Sequence, residues 1–142
     1  MKVHYKKSDS VKELEQLADA EASRKHPSMP FLCPRKFRDD TANGLTKCIV
    51  KYIELNGGFA SRLNNQGTYS RRLGKYIPST SKRGLPDIIA TYKGLSLHIE
   101  VKHGRDRQSE SQKAVEFAVN GAGGVYYIAQ DFTDFKDWFD EL

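Results

Sequence analysis

From Asp87 to Lys102 the chain alternates apolar and polar residues on both sides of the dipeptide Lys93-Gly94. Ile88, Ala90 and Tyr92 before it, and Leu95, Leu97, Ile99 and Val101 after it, are apolar, and most residues between them are polar. Two period-2 runs meeting at a glycine-containing pair specify a β-hairpin. With Lys93 and Gly94 as the turn, Ile88 faces Ile99 and Ala90 faces Leu97 on one side of the hairpin. On the other side Ile89 faces His98 and Asp87 faces Glu100, and Lys102 follows Glu100 by two residues on that same face. A slip of one residue would set the apolar face against the polar one, so the pattern itself specifies the register.

That register carries an electrostatic consequence. Directly opposed residues hold their Cβ atoms ~4.5–5.5 Å apart. Two ionised carboxylates at that range repel by roughly 3 kcal/mol at an effective dielectric near 20. A purely structural hairpin has no reason to accept this, whereas a divalent cation between Asp87 and Glu100 reverses its sign. Two carboxylates with further positions left to water and phosphate suit Mg²⁺ or Mn²⁺. Lys102 then orients an attacking water or counters charge developing on phosphate. Singly, the three residues have plainer readings. Asp87 is a strand-entry residue after Pro86, and Glu100 and Lys102 are a solvated strand face. Their coincidence in one register points to metal chemistry.

The flanking segments supply helices and strands. Residues 8–25 read as an amphipathic helix, with capping-box spacing between Ser10 and Glu13 and apolar Val11, Leu14, Leu17 and Ala18. Pro27, Pro30 and Pro34 break the chain into a linker. A second helix runs from Asn43 to Asn56 on a stripe of Leu45, Cys48, Ile49, Tyr52 and Ile53, and Gly57-Gly58 stops it. Phe59 to Leu63 reads as a short strand, and Asn64 to Gly84 as a polar, basic stretch holding an irregular hairpin or a loop. Ser109 and Gln112 have capping-box spacing ahead of a helix to Asn120. Val125 to Ala129 is a strand, and Thr133 to Glu141 a last helix burying Phe135, Trp138 and Phe139. From residue 43 the order is helix, three strands, helix, strand, helix. The expected class is α/β (α+β), with residues 1–42 as an N-terminal helix and proline-containing linker and residues 43–142 as the main domain of one compact unit.

With 142 residues the chain suffices for one core. No apolar run approaches the ~18–20 residues of a membrane span. The basic start Met1 to Lys7 leads into no apolar region, so no signal peptide is expected. Cys33 and Cys48 have neither a CxxC partner nor a histidine cluster. They read as packing residues in a reduced, cytoplasmic setting. The net charge is +5, and it is unevenly spread. Residues 58–107 carry ten Lys/Arg (Arg62, Arg71, Arg72, Lys75, Lys82, Arg83, Lys93, Lys102, Arg105 and Arg107) against three acids, whereas residues 108–142 carry two against seven. Positive charge concentrated mid-chain fits contact with a polyanion, and equally a solubilising surface.

Gly84-Leu85-Pro86-Asp87 followed by Ile99-Glu100-Val101-Lys102 resembles the signature of the PD-(D/E)XK nuclease superfamily, with Val101 in the spacer position. The likeness is closest to its VRR-NUC branch, which includes stand-alone phage and bacterial proteins. It covers roughly residues 43–130 and implies a restriction-endonuclease-like αβββαβ core, a mixed sheet flanked by helices. It further implies a Mg²⁺- or Mn²⁺-dependent endonuclease acting on DNA, with branched or flapped DNA among the candidate substrates. Asp87, Glu100 and the main-chain carbonyl of Val101 would bind the metal, and Lys102 would assist the nucleophile. Holliday-junction-resolvase-like members have a glutamine early in the next helix, the place of Gln112, which would brace the site. Such relatives also imply a homodimer.

One position departs from the pattern. The family carries an acid on the first core helix, three residues before its central apolar residue, and here that place is Thr46. Glu54 does not replace it, because at about 100° per residue it points away from the stripe. A hydroxyl at Thr46 would hold a metal-bound water. The departure admits a second class of reading, a catalytically silent nucleic-acid-binding module, and an RNA-processing nuclease is a third. Around the motif, His98 reads as a phosphate contact or a partly buried strand histidine. His103, Arg105 and Arg107 read as phosphate contacts or a solvated loop. Tyr69 and Tyr76, among Arg71, Arg72 and Lys75, read as base-stacking residues or as β-formers.

Overall fold

The computed structural model describes residues 4–64 and 66–142. Met1–Val3, the start of the basic N-terminal run, and Asn65 in the polar stretch lie outside the described residues. Among the described residues, four helices and six strands follow in the order α1 (Asp9–Lys25), α2 (Ala42–Leu55), β1 (Phe59–Arg62), β2 (Thr68–Ser70), β3 (Lys75–Ile77), β4 (Ile88–Tyr92), β5 (Leu95–Val101), α3 (Glu110–Gly121), β6 (Val125–Ala129) and α4 (Phe132–Asp140). The fold is mixed α and β, with a four-stranded sheet in the order β1-β4-β5-β6 flanked by helices. A separate two-stranded sheet, β2-β3, forms from the polar stretch. Among the described residues no helix is long and apolar enough to cross a membrane.

The hairpin takes the register that the alternation predicts: Ile88 pairs with Ile99, Ile89 with His98, Ala90 with Leu97 and Tyr92 with Leu95. Lys93 and Gly94 have φ of 47° and 77°. Two successive positive φ values give a turn whose twist matches the flanking strands. β1 pairs antiparallel with β4, and β6 pairs parallel with β5. A parallel pair needs a crossover, which α3 supplies.

The face carrying Ile88, Ala90, Leu97, Ile99 and Val101 packs on the stripe Leu45, Cys48, Ile49, Tyr52 and Ile53 of α2 and on Phe132, Phe135 and Phe139 of α4. Val11 and Leu14 of α1 belong to the same core. The proline-containing segment is tied back to α1, since Asp19 accepts the Arg35 N–H and Glu15 the Phe37 N–H. The opposite face of the sheet, with His98 and Glu100, belongs to the α3 side.

Several local expectations are corrected. The N-cap of α1 is Ser8, whose hydroxyl accepts from Val11 N–H, because the helix begins before Ser10. Leu17 is exposed rather than buried, lying outside the arc that faces α2 and α4. Trp138 is half-buried, stacked on Tyr127 with ring centroids 4.1 Å apart. Cys48 is in the core, but Cys33 is exposed on the proline-containing segment and packs no interior.

Candidate active site

Asp87 is fixed through its main chain and its side chain. Its carbonyl accepts from Leu63 N–H at 2.8 Å, extending the β1–β4 ladder by one step. Its Oδ2 accepts from Val101 N–H at 2.8 Å. Pro86 bears on the other half of that pairing. Continuing the hairpin register sets Asp87 opposite Glu100 and Pro86 opposite Val101. Proline has no N–H to give to the Val101 carbonyl. That carbonyl therefore receives no ladder bond from its partner, while the Val101 N–H turns to the Asp87 carboxylate.

Glu100 is buried, at 2% exposure. Its Oε1 accepts from Gln112 Nε2 at 2.6 Å and lies 3.1 Å from Lys102 Nζ. Its Oε2 is buried and, among the described residues, no donor reaches it, with the Asp87 carboxylate as its neighbour. Burial, together with the negative charge of Asp87, pushes the Glu100 carboxyl up from 4.5 to about 7, against the pull of Lys102. A buried carboxylate oxygen without a donor is costly, and so is a second carboxylate beside it. A proton held between Glu100 and Asp87 relieves both, and so does a cation. Asp87, Glu100 and the unclaimed Val101 carbonyl form an all-oxygen set that suits a hard divalent metal. Among the described residues no group of three His, Cys, Asp or Glu side chains gathers as a metal cluster, so the acidic part of the site is a pair.

Lys102, just past β5, is buried with its ammonium between Glu100 and Asp106, the latter at 3.5 Å. Burial disfavours its charge, but the Glu100 and Asp106 carboxylates outweigh this and raise its pKa. Asp106 was not singled out by the motif; its i,i+4 spacing from Lys102 is the only trace of it in the sequence. Gln112 sits at the third position of α3, where its carboxamide oxygen accepts Ser109 N–H and closes a capping box. Gly84 seats the preceding loop on this helix. Its φ is +78°, and a Cβ there would lie 2.4 Å from the Ser111 carbonyl.

Two grooves meet at Asp87. One, of about 420 Å³, is lined by Arg62, Leu63, Asn64 and Gln66. The other, of about 600 Å³, is lined among others by Tyr76, Lys82, Arg83, Ser109, Ser111 and Gln112. Arg62, Lys82 and Arg83 thus line grooves that Asp87 also lines, with Arg62 steadied by Asn43. Arg71, Arg72 and Lys75 lie at the far end of the β2–β3 arm, exposed and outside both grooves. His103, Arg105 and Arg107 are on the exposed loop between β5 and α3, and Arg107 lines a separate cavity with Lys102.

Thr46 is buried on α2, and its hydroxyl donates to the Ala42 carbonyl at 2.8 Å. Its proton is thus engaged within the helix. His98 is half-buried against α3 with Ser96 Oγ 3.2 Å from its Nε2, and burial lowers its pKa. Comparison with protein-family models, curated proteins and solved structures finds no significant match.

Proposed function

We propose that this protein is a metal-dependent endonuclease that hydrolyses phosphodiester bonds in DNA, in the manner of the VRR-NUC branch it resembles. The observation that carries the reading is the buried Oε2 of Glu100, without a donor among the described residues, on the face it shares with Asp87. Asp87, Glu100 and the Val101 carbonyl would hold Mg²⁺ or Mn²⁺. When bound, the metal supplies a positive charge that polarises a phosphoryl oxygen and makes a bound water more acidic. In the reaction a water oxygen adds at phosphorus, one P–O ester bond breaks, and the leaving oxygen takes a proton. Lys102, kept charged by Glu100 and Asp106, offsets negative charge growing on the phosphoryl group. Gln112 holds Glu100 in place from the start of α3. Arg62, Lys82 and Arg83 line the grooves on either side of Asp87, where a phosphate backbone would run.

One observation favours a second reading. Thr46 stands where the family has an acid, and its hydroxyl is engaged by the Ala42 carbonyl. A fold left with two carboxylates would then bind nucleic acid without cutting it. A cleavage panel separates the two: linear, single-stranded, flapped and four-way DNA, with Mg²⁺, Mn²⁺ or chelator. Metal-dependent cutting of any member supports the nuclease. Binding without cutting across the panel supports the silent module.

A further inference from the structure

We propose that the β2–β3 arm is a stacking platform for unpaired nucleotides, so that the preferred substrate carries a single strand beside the scissile phosphate. The inference rests on the nuclease reading and names its substrate class. Tyr69 and Tyr76 are directly opposed across the arm, which puts both rings on the same face of the ribbon. They are 59% and 58% exposed, so neither belongs to a packed sheet face. Two aromatic side chains held in water on one face of a projecting ribbon have a cost that burial does not repay.

The position of Tyr76 gives the pair a direction. A Cβ on Gly67 would come within 2.7 Å of its ring and 2.3 Å of the Ile77 carbonyl. The backbone at Gly67 therefore closes against the ring and holds it as a plate. Tyr76 also lines the groove of about 600 Å³ that reaches Arg83, Asp87 and Gln112. A strand whose phosphate lies at Asp87 and that follows this groove would meet Arg83 and Tyr76 along it. Arg71, Arg72 and Lys75 flank the two tyrosines. Basic residues interleaved with exposed aromatics are how single strands are held, phosphates by charge and bases by stacking. In a duplex the base faces are already covered by neighbouring pairs, so only unpaired nucleotides have a face to offer.

Binding is tested in chelator, where no cutting occurs, by fluorescence anisotropy with a labelled oligothymidine and a hairpin duplex of equal charge. The parent should bind both. Replacing both tyrosines (Tyr69→Leu with Tyr76→Leu) should weaken the single strand about tenfold or more and the duplex less than about twofold. Tyr69→Phe with Tyr76→Phe should restore it. Tyr69→Leu alone, away from Gly67, should show part of the loss with an unchanged melting temperature. Equal losses on both DNAs, no binding of the single strand by the parent, or failure of phenylalanine to rescue would overturn the platform. A parent that cuts duplex and flap alike, whatever stands at 69 and 76, defeats the platform and leaves the nuclease standing. A tyrosine-dependent single-strand binder that never cuts does the reverse.

Discussion

Gln112 Nε2 donates to Glu100 Oε1 at 2.6 Å, while the oxygen of the same carboxamide accepts Ser109 N–H at 2.9 Å. One side chain thus caps α3 and positions a carboxylate on β5. Gln112→Glu separates the two roles, because a glutamate also closes a capping box. It would set a third carboxylate against Glu100 and raise the Glu100 pKa further. We expect α3 to persist by circular dichroism while Mn²⁺ affinity, read by calorimetry near neutral pH, and cleavage both fall. Gln112→Ala, which loses the reciprocal half of the cap, should cost on the order of 1 kcal/mol in thermal stability. Unaltered Mn²⁺ affinity in Gln112→Glu would show that this brace does not govern the metal site.

The raised pKa of Glu100 makes the stability of the metal-free protein depend on pH in a direction opposite to that of an ion-paired acid. Its carboxyl titrates at about 7 when folded against 4.5 ordinarily. Between those values the folded state holds the proton and the unfolded state has lost it. Unfolding free energy therefore falls as pH rises through this window and levels off above it. The full effect is of the order of 3 kcal/mol. His98, with its pKa lowered by burial, gives the opposite slope below its ordinary value of 6.5. The comparison is therefore parent against Glu100→Gln, with denaturation followed at pH 5 and pH 8. The parent should lose stability relative to the variant as pH rises, and Mn²⁺ should restore the parent alone. Parallel pH profiles would mean that Glu100 is ordinarily ionised.

The hairpin, its register and the helix caps at Ser109 and Gln112 were legible in the sequence because each is set by neighbours in the chain. A period of two fixes which residues face each other, and a cap needs only its own helix. What escaped depends on contacts between segments. Asp106 matters because the chain after β5 turns it back toward Lys102. Leu17 fits a helical stripe as well as Leu14 does, and only the placement of α2 and α4 decides which is covered. The β2–β3 arm was legible only as an irregular hairpin or a loop, because no alternating apolar pattern fixes its pairing.

Gly84 is a point where backbone geometry reaches the site. Its φ of +78° and the 2.4 Å approach that a Cβ would make to the Ser111 carbonyl leave no room for alanine. Gly84→Ala should displace the loop from the first turn of α3 and carry Gln112 away from Glu100. We expect a loss of roughly 1–3 kcal/mol in stability and a larger loss of cleavage than in Gly74→Ala. Gly74 also has a positive φ, but nothing lies near its Cβ and it stands on the distant arm. Equal effects of the two substitutions would place the damage in the strained backbone rather than in the contact with α3.

Exposed cations at the end of the arm should act on phosphates in a way that salt reveals. Arg71 and Arg72 are exposed and outside both grooves beside Asp87. Replacing both with alanine should weaken DNA binding at low salt and reduce the slope of log affinity against log salt by about one to two. Cleavage at saturating DNA should be unchanged. A salt-independent affinity in the parent would point to a partner other than a polyanion.

Asp87 and Lys102 touch the same site in different ways, and their substitutions should fail differently. Asp87→Asn retains an oxygen that can accept from Val101 N–H, so the strand entry should keep its geometry. It removes the charge that helps to push Glu100 up, so metal-free stability at pH 8 should hold or rise. DNA affinity should also hold or rise, because one negative charge facing phosphate is gone. Mn²⁺ affinity should drop and cleavage should be abolished. Lys102→Met keeps much of the side-chain volume and both carboxylates but withdraws a cation from Glu100, whose pKa then rises further. Metal binding should therefore survive at high pH, where the metal displaces the Glu100 proton, and weaken more than in the parent as pH falls. Turnover should drop by about 10²–10³-fold even with metal bound. Calorimetry with Mn²⁺ at two pH values and a cleavage time course read both variants. If Asp87→Asn cuts DNA as fast as the parent, Asp87 only begins a strand, and the hydrolysis is done elsewhere.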